Sequence, residues 1–139
     1  ELTMSESCWA QFKRHRYCTA IRKAGNSLAT KIPPAIQNIN RTEIWTELNN
    51  SIIRMGSSLP AKLAYLTPYF RTNASIVTVF VNMNLREIYH FVRLRSDENA
   101  QWEIRELSQL MAAQVKKAAP QAAAFLCGKS ELKTSSATS

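Results

Sequence analysis

Long apolar runs, glycine and catalytic motifs are what this chain has little of. No apolar stretch approaches the ~18 residues of a membrane span, so no transmembrane segment is expected. No leader peptide is visible either. Glu1 and Glu6 stand where a basic n-region would be, and no apolar h-region follows. There are only 3 glycines, which argues for a globular, helix-rich chain rather than a disordered one. Cysteine is sparse and odd in number. Cys8, Cys18 and Cys127 match no zinc spacing, and reduced thiols in a cytoplasmic protein are expected. No Ser/His/Asp arrangement, no phosphate-cradling glycine loop, no paired carboxylates and no metal-ligand set stand out. Redox or transfer chemistry would therefore need a cofactor. The chain also lacks an initiating Met, and a domain of a longer protein is expected.

Acidic residues are missing from one region in particular. Between Phe12 and Lys31 there are six basic residues and no acid, within a chain of net charge +8. Such a patch attracts phosphates, free or polymeric. It also suits an oligomer interface. The hydrophobic share, 45%, is enough for a core.

Read along its length, the chain predicts a helix over about Glu6 to Arg16, capped by Ser5. Cys8, Trp9 and Phe12 share its apolar face, and Gln11, Arg14 and His15 share another. Arg22 to Arg41, with Gly25 and the Pro33-Pro34 pair, reads as irregular. Thr42 then caps a helix to about Met55, with Ile44, Trp45, Leu48 and Ile52 as its buried stripe. A short helix follows Pro60. "SIVTVFV" (Ser75 to Val81) is the one convincing strand, and its partners are expected outside this chain. Asn84 caps a helix from Leu85 to about Leu94, with Leu85, Ile88, Tyr89 and Val92 inward. Asp97 and Glu98 open the next helix, and Lys116 and Lys117 close it. "PQAAAFLC" reads as a last helical piece. Lys129 to Ser139 reads as a disordered polar tail after a single domain, residues 1–128.

Three clusters carry possible chemistry. Arg14-His15-Arg16 offers forked donors for phosphate, or is a solvated helix face. Arg86, His90 and Arg93 share a helix face, with Arg95 just beyond. They imply an anion, or counter-charges such as Glu87 and Glu103. Trp102, off the main stripe of its helix, is an interface anchor or simple packing.

The string "NLREIYHFVRLRSDENAQWEIRELSQLM" resembles the C-terminal portion of the flavin-dependent thymidylate synthases. "QFKRHR" resembles the start of that family's signature, RHR-x-x-S-x-N-E-x-S-x-R-Y. The resemblance implies an α+β fold, mainly helical in this chain, with helices packed on an antiparallel sheet of which little is present. It implies reductive methylation of dUMP to dTMP with FAD, and with NADPH and methylenetetrahydrofolate as co-substrates. It implies a homotetramer, or a tandem homologous domain, as the working assembly. By motif position, Arg14, His15, Arg16, Asn84, Arg86 and His90 match flavin contacts. Gln11, Arg14 and Arg95 match contacts to the dUMP-like nucleotide. Arg95 matches the cation that favours the ionised uracil, a sensible catalytic role because a fixed positive charge lowers the pKa of a nearby acidic N–H.

The signature is incomplete after the triplet. Thr19 stands for its first Ser, Ile21 and Arg22 for Asn-Glu, Ala24 for its second Ser, and Asn26 and Ser27 for Arg-Tyr. Ala64 stands where a further nucleotide-binding arginine is expected. A non-catalytic flavin- or nucleotide-binding homologue that supports an active copy is therefore one alternative. A basic nucleic-acid-binding domain is another. It is disfavoured because the aromatics do not interleave with the basic residues as stacking platforms.

Overall fold

The structure is a computed structural model that describes residues 1–23 and 29–129. It is mixed α and β and mainly helical. In chain order it holds β1 (Leu2–Ser5), α1 (Glu6–Phe12), β2 (Cys18–Arg22), α2 (Pro34–Asn38), α3 (Thr42–Ser57), a 3-10 helix (Ala61–Phe70), β3 (Ile76–Met83), α4 (Leu85–Arg95) and α5 (Trp102–Ala118). Two compact units divide it: Glu1–Trp9 with Ile21–Phe80, and Ala10–Ala20 with Val81–Ser139.

The strands form one small sheet in the order β1-β3-β2. β1 runs antiparallel to β3, with Leu2 opposite Val79 and Ser5 opposite Ile76. β3 therefore finds its partners inside this chain, contrary to the expectation from sequence. Only four and five residues long, β1 and β2 carry little signal of their own. The β-branched run of β3 between them supplies the propensity.

In the first unit the core gathers Met4, Cys8, Val77 and Val79. Ser75, Val77 and Val79 are buried at a period of two, as one face of a strand requires. Ser5 caps α1 by accepting the Cys8 N–H at 3.1 Å. α3 turns a different face inward from the one its apolar residues suggest. Ile44 and Leu48 are more than half exposed, while Asn49 and Gly56 are buried. The cause is polar and steric. Asn49 accepts from the Thr72 hydroxyl at 2.7 Å and donates to the Trp45 carbonyl at 2.8 Å. Gly56 gives Phe70 room to approach. The short α2 stops where Asn40 takes a left-handed φ of 52°, a conformation asparagine tolerates better than most residues.

In the second unit Phe12, Phe91, Val92, Ile104, Ala123 and Leu126 are buried. The Phe12 and Phe91 rings lie 5.2 Å apart. α4 buries Glu87, Phe91 and Val92 and leaves Leu85 partly exposed, so its inward face differs from the expected stripe. α5 starts at Trp102 rather than at Asp97. The Gln101 side chain accepts the Glu103 and Ile104 N–H groups, and so fixes the start. Asp97 instead closes a turn onto Asn99. Pro120 to Phe125 forms turns rather than a regular helix, with Ala123 and Leu126 buried. Gly128 packs against Ser96, where a Cβ would come within 3.0 Å of the serine side chain. Apart from Lys129, the expected polar tail lies outside the described residues.

Gly56 offers a direct test of the packing of α3. A Cβ there would lie 2.7 Å from the Phe70 Cβ, an atom held close to the backbone. Overpacking of this kind costs about 1–3 kcal/mol, against roughly 1 kcal/mol gained from better helix propensity. Gly56→Ala is expected to lower stability in urea unfolding, and Gly56→Val to lower it further.

Candidate functional site

The site grows from the start of α4. Asn84 Oδ1 accepts the Glu87 N–H at 2.9 Å, a cap worth about 1 kcal/mol. That cap sets the first turn, where Arg86 is exposed and Glu87 is buried, and His90 projects, also exposed, one turn further on. Tyr17, Asn84, Arg86, Glu87 and His90 line a concavity of about 340 Å³. This lies near the lower end of the ~300–1,000 Å³ of small-molecule pockets.

His15 reaches the same place from the other end of the unit's sequence. α1 stops at Phe12, not at Arg16 as expected. The Arg14 and His15 N–H groups then turn back to the Gln11 and Phe12 carbonyls at 3.3 and 3.0 Å. This tight turn replaces the expected Gln11/Arg14/His15 helix face. His15 goes inward and is only 6% exposed, while Arg14 is exposed. The Cys18 thiol donates to the His15 carbonyl at 3.0 Å and pins the turn. The His15 ring meets Phe91 edge-on at 4.9 Å and His90 at 5.8 Å.

Both ring nitrogens of His15 are engaged. Nδ1 lies 3.0 Å from Glu87 Oε1. Nε2 accepts from Arg95 Nε at 3.0 Å. A guanidinium N–H can only donate, so Nε2 must offer a lone pair. Nδ1 then carries the proton and donates it to Glu87. The tautomer follows from this network. Arg95 also donates from Nη2 to the Gln11 carbonyl at 3.4 Å.

The electrostatics agree with that assignment. Burial holds His15 below its ordinary value of 6.5. The hydrogen bond to Glu87 opposes the shift, and the Arg95 charge reinforces it. The Cys18 thiol is pushed up, first by burial and then by the Glu87 charge, so it stays protonated and weakly nucleophilic.

His15, Glu87 and His90 bring donor atoms within 4.8 Å of one another, a spacing open to a metal ion. The hydrogen bonds speak against one. Each His15 nitrogen already has a partner, and the Arg95 guanidinium beside it repels a cation.

Of the residues singled out by sequence, His15, Asn84, Arg86, His90 and Arg95 come together in this unit. Gln11 is half-buried and contributes its backbone carbonyl. Arg14 and Arg16 are exposed on either side of His15 in sequence and do not line the concavity. Two lining residues were not among the predicted contacts. Glu87 had a signal, as an acid three residues after a capping Asn and a counter-charge to its basic neighbours. Tyr17 had none beyond adjacency to the basic triplet.

His15 gives this unit a pH-dependent stability. Its folded pKa is depressed, so the unfolded chain binds the proton more readily. The contribution is fully present above 6.5 and is lost as pH falls from there through the folded pKa. Urea unfolding from about pH 7.5 to about pH 5 is expected to show wild-type stability falling more steeply than that of His15→Gln, whose amide does not titrate. Equal slopes would contradict the assignment.

The profile of the family described as "Thymidylate synthase complementing protein" matches residues 1–121. The flavin-dependent thymidylate synthase of Geobacter sulfurreducens is 50% identical over 48 residues, 34% of this chain and 21% of that protein. The enzyme of the same name from Sulfurisphaera tokodaii is 42% identical over 52 residues, 37% of this chain and 20% of that protein. These matches span about a fifth of the length of each relative. Among solved structures, thymidylate synthase X from Helicobacter pylori, determined with FAD and dUMP, aligns with a TM-score of 0.60. That alignment covers 79% of this chain and 62% of the other at 15% identity, a likeness of fold. With its family profile matched over residues 1–121, this chain belongs to the thymidylate synthase complementing protein family, the flavin-dependent thymidylate synthases.

Proposed function

We propose that this chain supplies the flavin- and nucleotide-binding part of a flavin-dependent thymidylate synthase, which methylates dUMP reductively to dTMP. The observation that carries it is the concavity at the start of α4. Its lining residues Asn84, Arg86 and His90 are the motif residues matched to flavin contacts, and the His15–Arg95 pair adjoins it. The residues present suit FAD. Arg86 and His90 are exposed beside a capped helix start, and a diphosphate needs such donors. The concavity takes part of a dinucleotide, and a second copy of the chain, as in a homotetramer, supplies further surface. Bound FAD, once reduced by NADPH, would supply the hydride that completes the methyl group, with methylenetetrahydrofolate as the source of the carbon.

The chain's own residues bind and polarise. Arg86, Arg14 and Arg16 attract the anionic cofactor, His90 offers it a ring nitrogen for hydrogen bonding, and Asn84 holds the helix start in place. Gln11, Arg14 and Arg95 engage the nucleotide. Arg95, fixed by His15 and Gln11, favours the ionised uracil because a cation at close range stabilises the negative form. Residues 1–128 act as one flavin-dependent thymidylate synthase-like domain in the cytoplasm.

Nucleotide binding is the weaker half. Asn26 and Ala64 occupy positions matched to phosphate-binding arginines. Each lost charge-assisted contact removes about 1.5–3 kcal/mol, so the two together weaken deoxyuridylate by roughly two orders of magnitude or more. Paired titration of the protein with FAD and with deoxyuridylate is expected to give tighter FAD binding. Arg95→Ala is expected to lower deoxyuridylate affinity and leave FAD affinity nearly unchanged. Absence of FAD binding would overturn the proposal. Nucleic-acid binding that weakens steeply with salt, with no flavin taken up, would favour the basic-domain alternative.

A further inference from the structure

Glu87 has no assigned part in the chemistry, yet it is 4% exposed and sits on the concavity. Burying a carboxylate is costly unless it is paired and hydrogen-bonded. Its partner is the Nδ1–H of His15, 72 residues away in sequence. An acceptor at Nδ1 decides which nitrogen of a neutral imidazole carries the proton. We propose that Glu87 is a positioning residue: by accepting the Nδ1–H of His15 it selects the tautomer whose Nε2 lone pair holds Arg95.

The alternative tautomer makes the consequence plain. With its proton on Nε2, His15 would aim a donor at the Arg95 Nε–H, and the two hydrogens would face each other. The 3.0 Å contact to Arg95 does not survive that change. Full protonation has the same effect and adds like-charge repulsion. Among the described residues, the charged and titratable groups that act on His15 are Glu87, His90 and Arg95 on α4, with the Cys18 thiol on its carbonyl. Among them Glu87 is the one anion. The chain of influence runs from the Glu87 carboxylate through the His15 ring to the Arg95 guanidinium. Its meaning for catalysis rests on the proposed role of Arg95 toward the uracil.

The experiment is NMR of the full ¹⁵N-labelled chain without ligand, reading the His15 ring nitrogens and the Arg95 Nε–H. In the wild type at neutral pH, His15 is expected to carry its proton on Nδ1, with a slowly exchanging Arg95 Nε–H. Glu87→Leu removes the acceptor and is expected to speed Arg95 Nε–H exchange by roughly tenfold or more. Glu87→Gln keeps an acceptor oxygen and is expected to preserve both signals. Should Glu87→Leu not fold, acid titration of the wild type decides the matter. The Arg95 Nε–H signal is expected to vanish as His15 protonates, while the Ser96 amide, bonded to the Val92 carbonyl in the same helix, stays protected. A wild-type His15 with its proton on Nε2, unchanged Arg95 exchange in Glu87→Leu, or an Arg95 signal that outlasts His15 protonation would each overturn the proposal. Deoxyuridylate titration of the same samples judges the function separately. A greater affinity loss in Glu87→Leu than in Glu87→Gln supports the relay. No binding by a wild type with its relay intact overturns the function and leaves the relay standing.

Discussion

A neutral imidazole has one proton to give and one lone pair to offer, and in His15 both are committed. Glu87 takes the proton's hydrogen bond and Arg95 uses the lone pair. The positions of the other site residues follow from that arrangement. α1 must stop at Phe12 so that a tight turn can deliver the ring. α4 must bury a carboxylate on its first turn, which the Asn84 cap permits by satisfying the Glu87 N–H. Arg95 must close α4 one turn after Phe91, whose ring packs against the imidazole. Removal of Glu87 or Arg95 would leave a buried His15 nitrogen without its partner, a costly kind of change.

What the sequence made legible at the site was local. Asn84 followed by an acid three residues later marks a helix start, and the structure places that start where the pattern does. The family motifs brought His15, Asn84, Arg86, His90 and Arg95 into consideration together; in the structure Asn84, Arg86 and His90 line one concavity, and His15 links His90 to Arg95 in the same unit. The mainly helical character was legible from composition and β3 from its β-branched run, while the α+β class came from the family resemblance.

What stayed hidden depended on partners distant in sequence. β1 and β2 are too short to declare themselves, and become strands because β3 lies ready between them. Periodicity counted Ile44 and Leu48 as core, because it cannot know that Asn49 will bond to Thr72 or that Gly56 will receive Phe70. The sequence offered Glu87 only as a counter-charge to its basic neighbours: a carboxylate reads as surface until its buried partner is known. Counting helical turns also carried α1 on to Arg16. The chain instead breaks where Phe12 meets Phe91 and the His15 hydrogen bonds outweigh four more residues of helix.

The arginines of the two basic clusters fall into two kinds, and the difference bears on what they can do. Arg14, Arg16, Arg86 and Arg93 are exposed, so their charges are screened by salt within about 8–10 Å. Such groups draw an anion in and add little to its orientation. Arg95 is partly buried, tied at Nε and Nη2, and adjoins an imidazole held neutral by burial. Its charge acts at shorter range in a less polar surrounding, where a fixed cation is worth far more than in water. A buried Glu–His–Arg chain is a poor way to gain stability, since well-packed apolar residues often serve as well or better. It is an effective way to hold one guanidinium in a fixed orientation. The exposed arginines then account for attraction, and the His15–Arg95 bond accounts for aim.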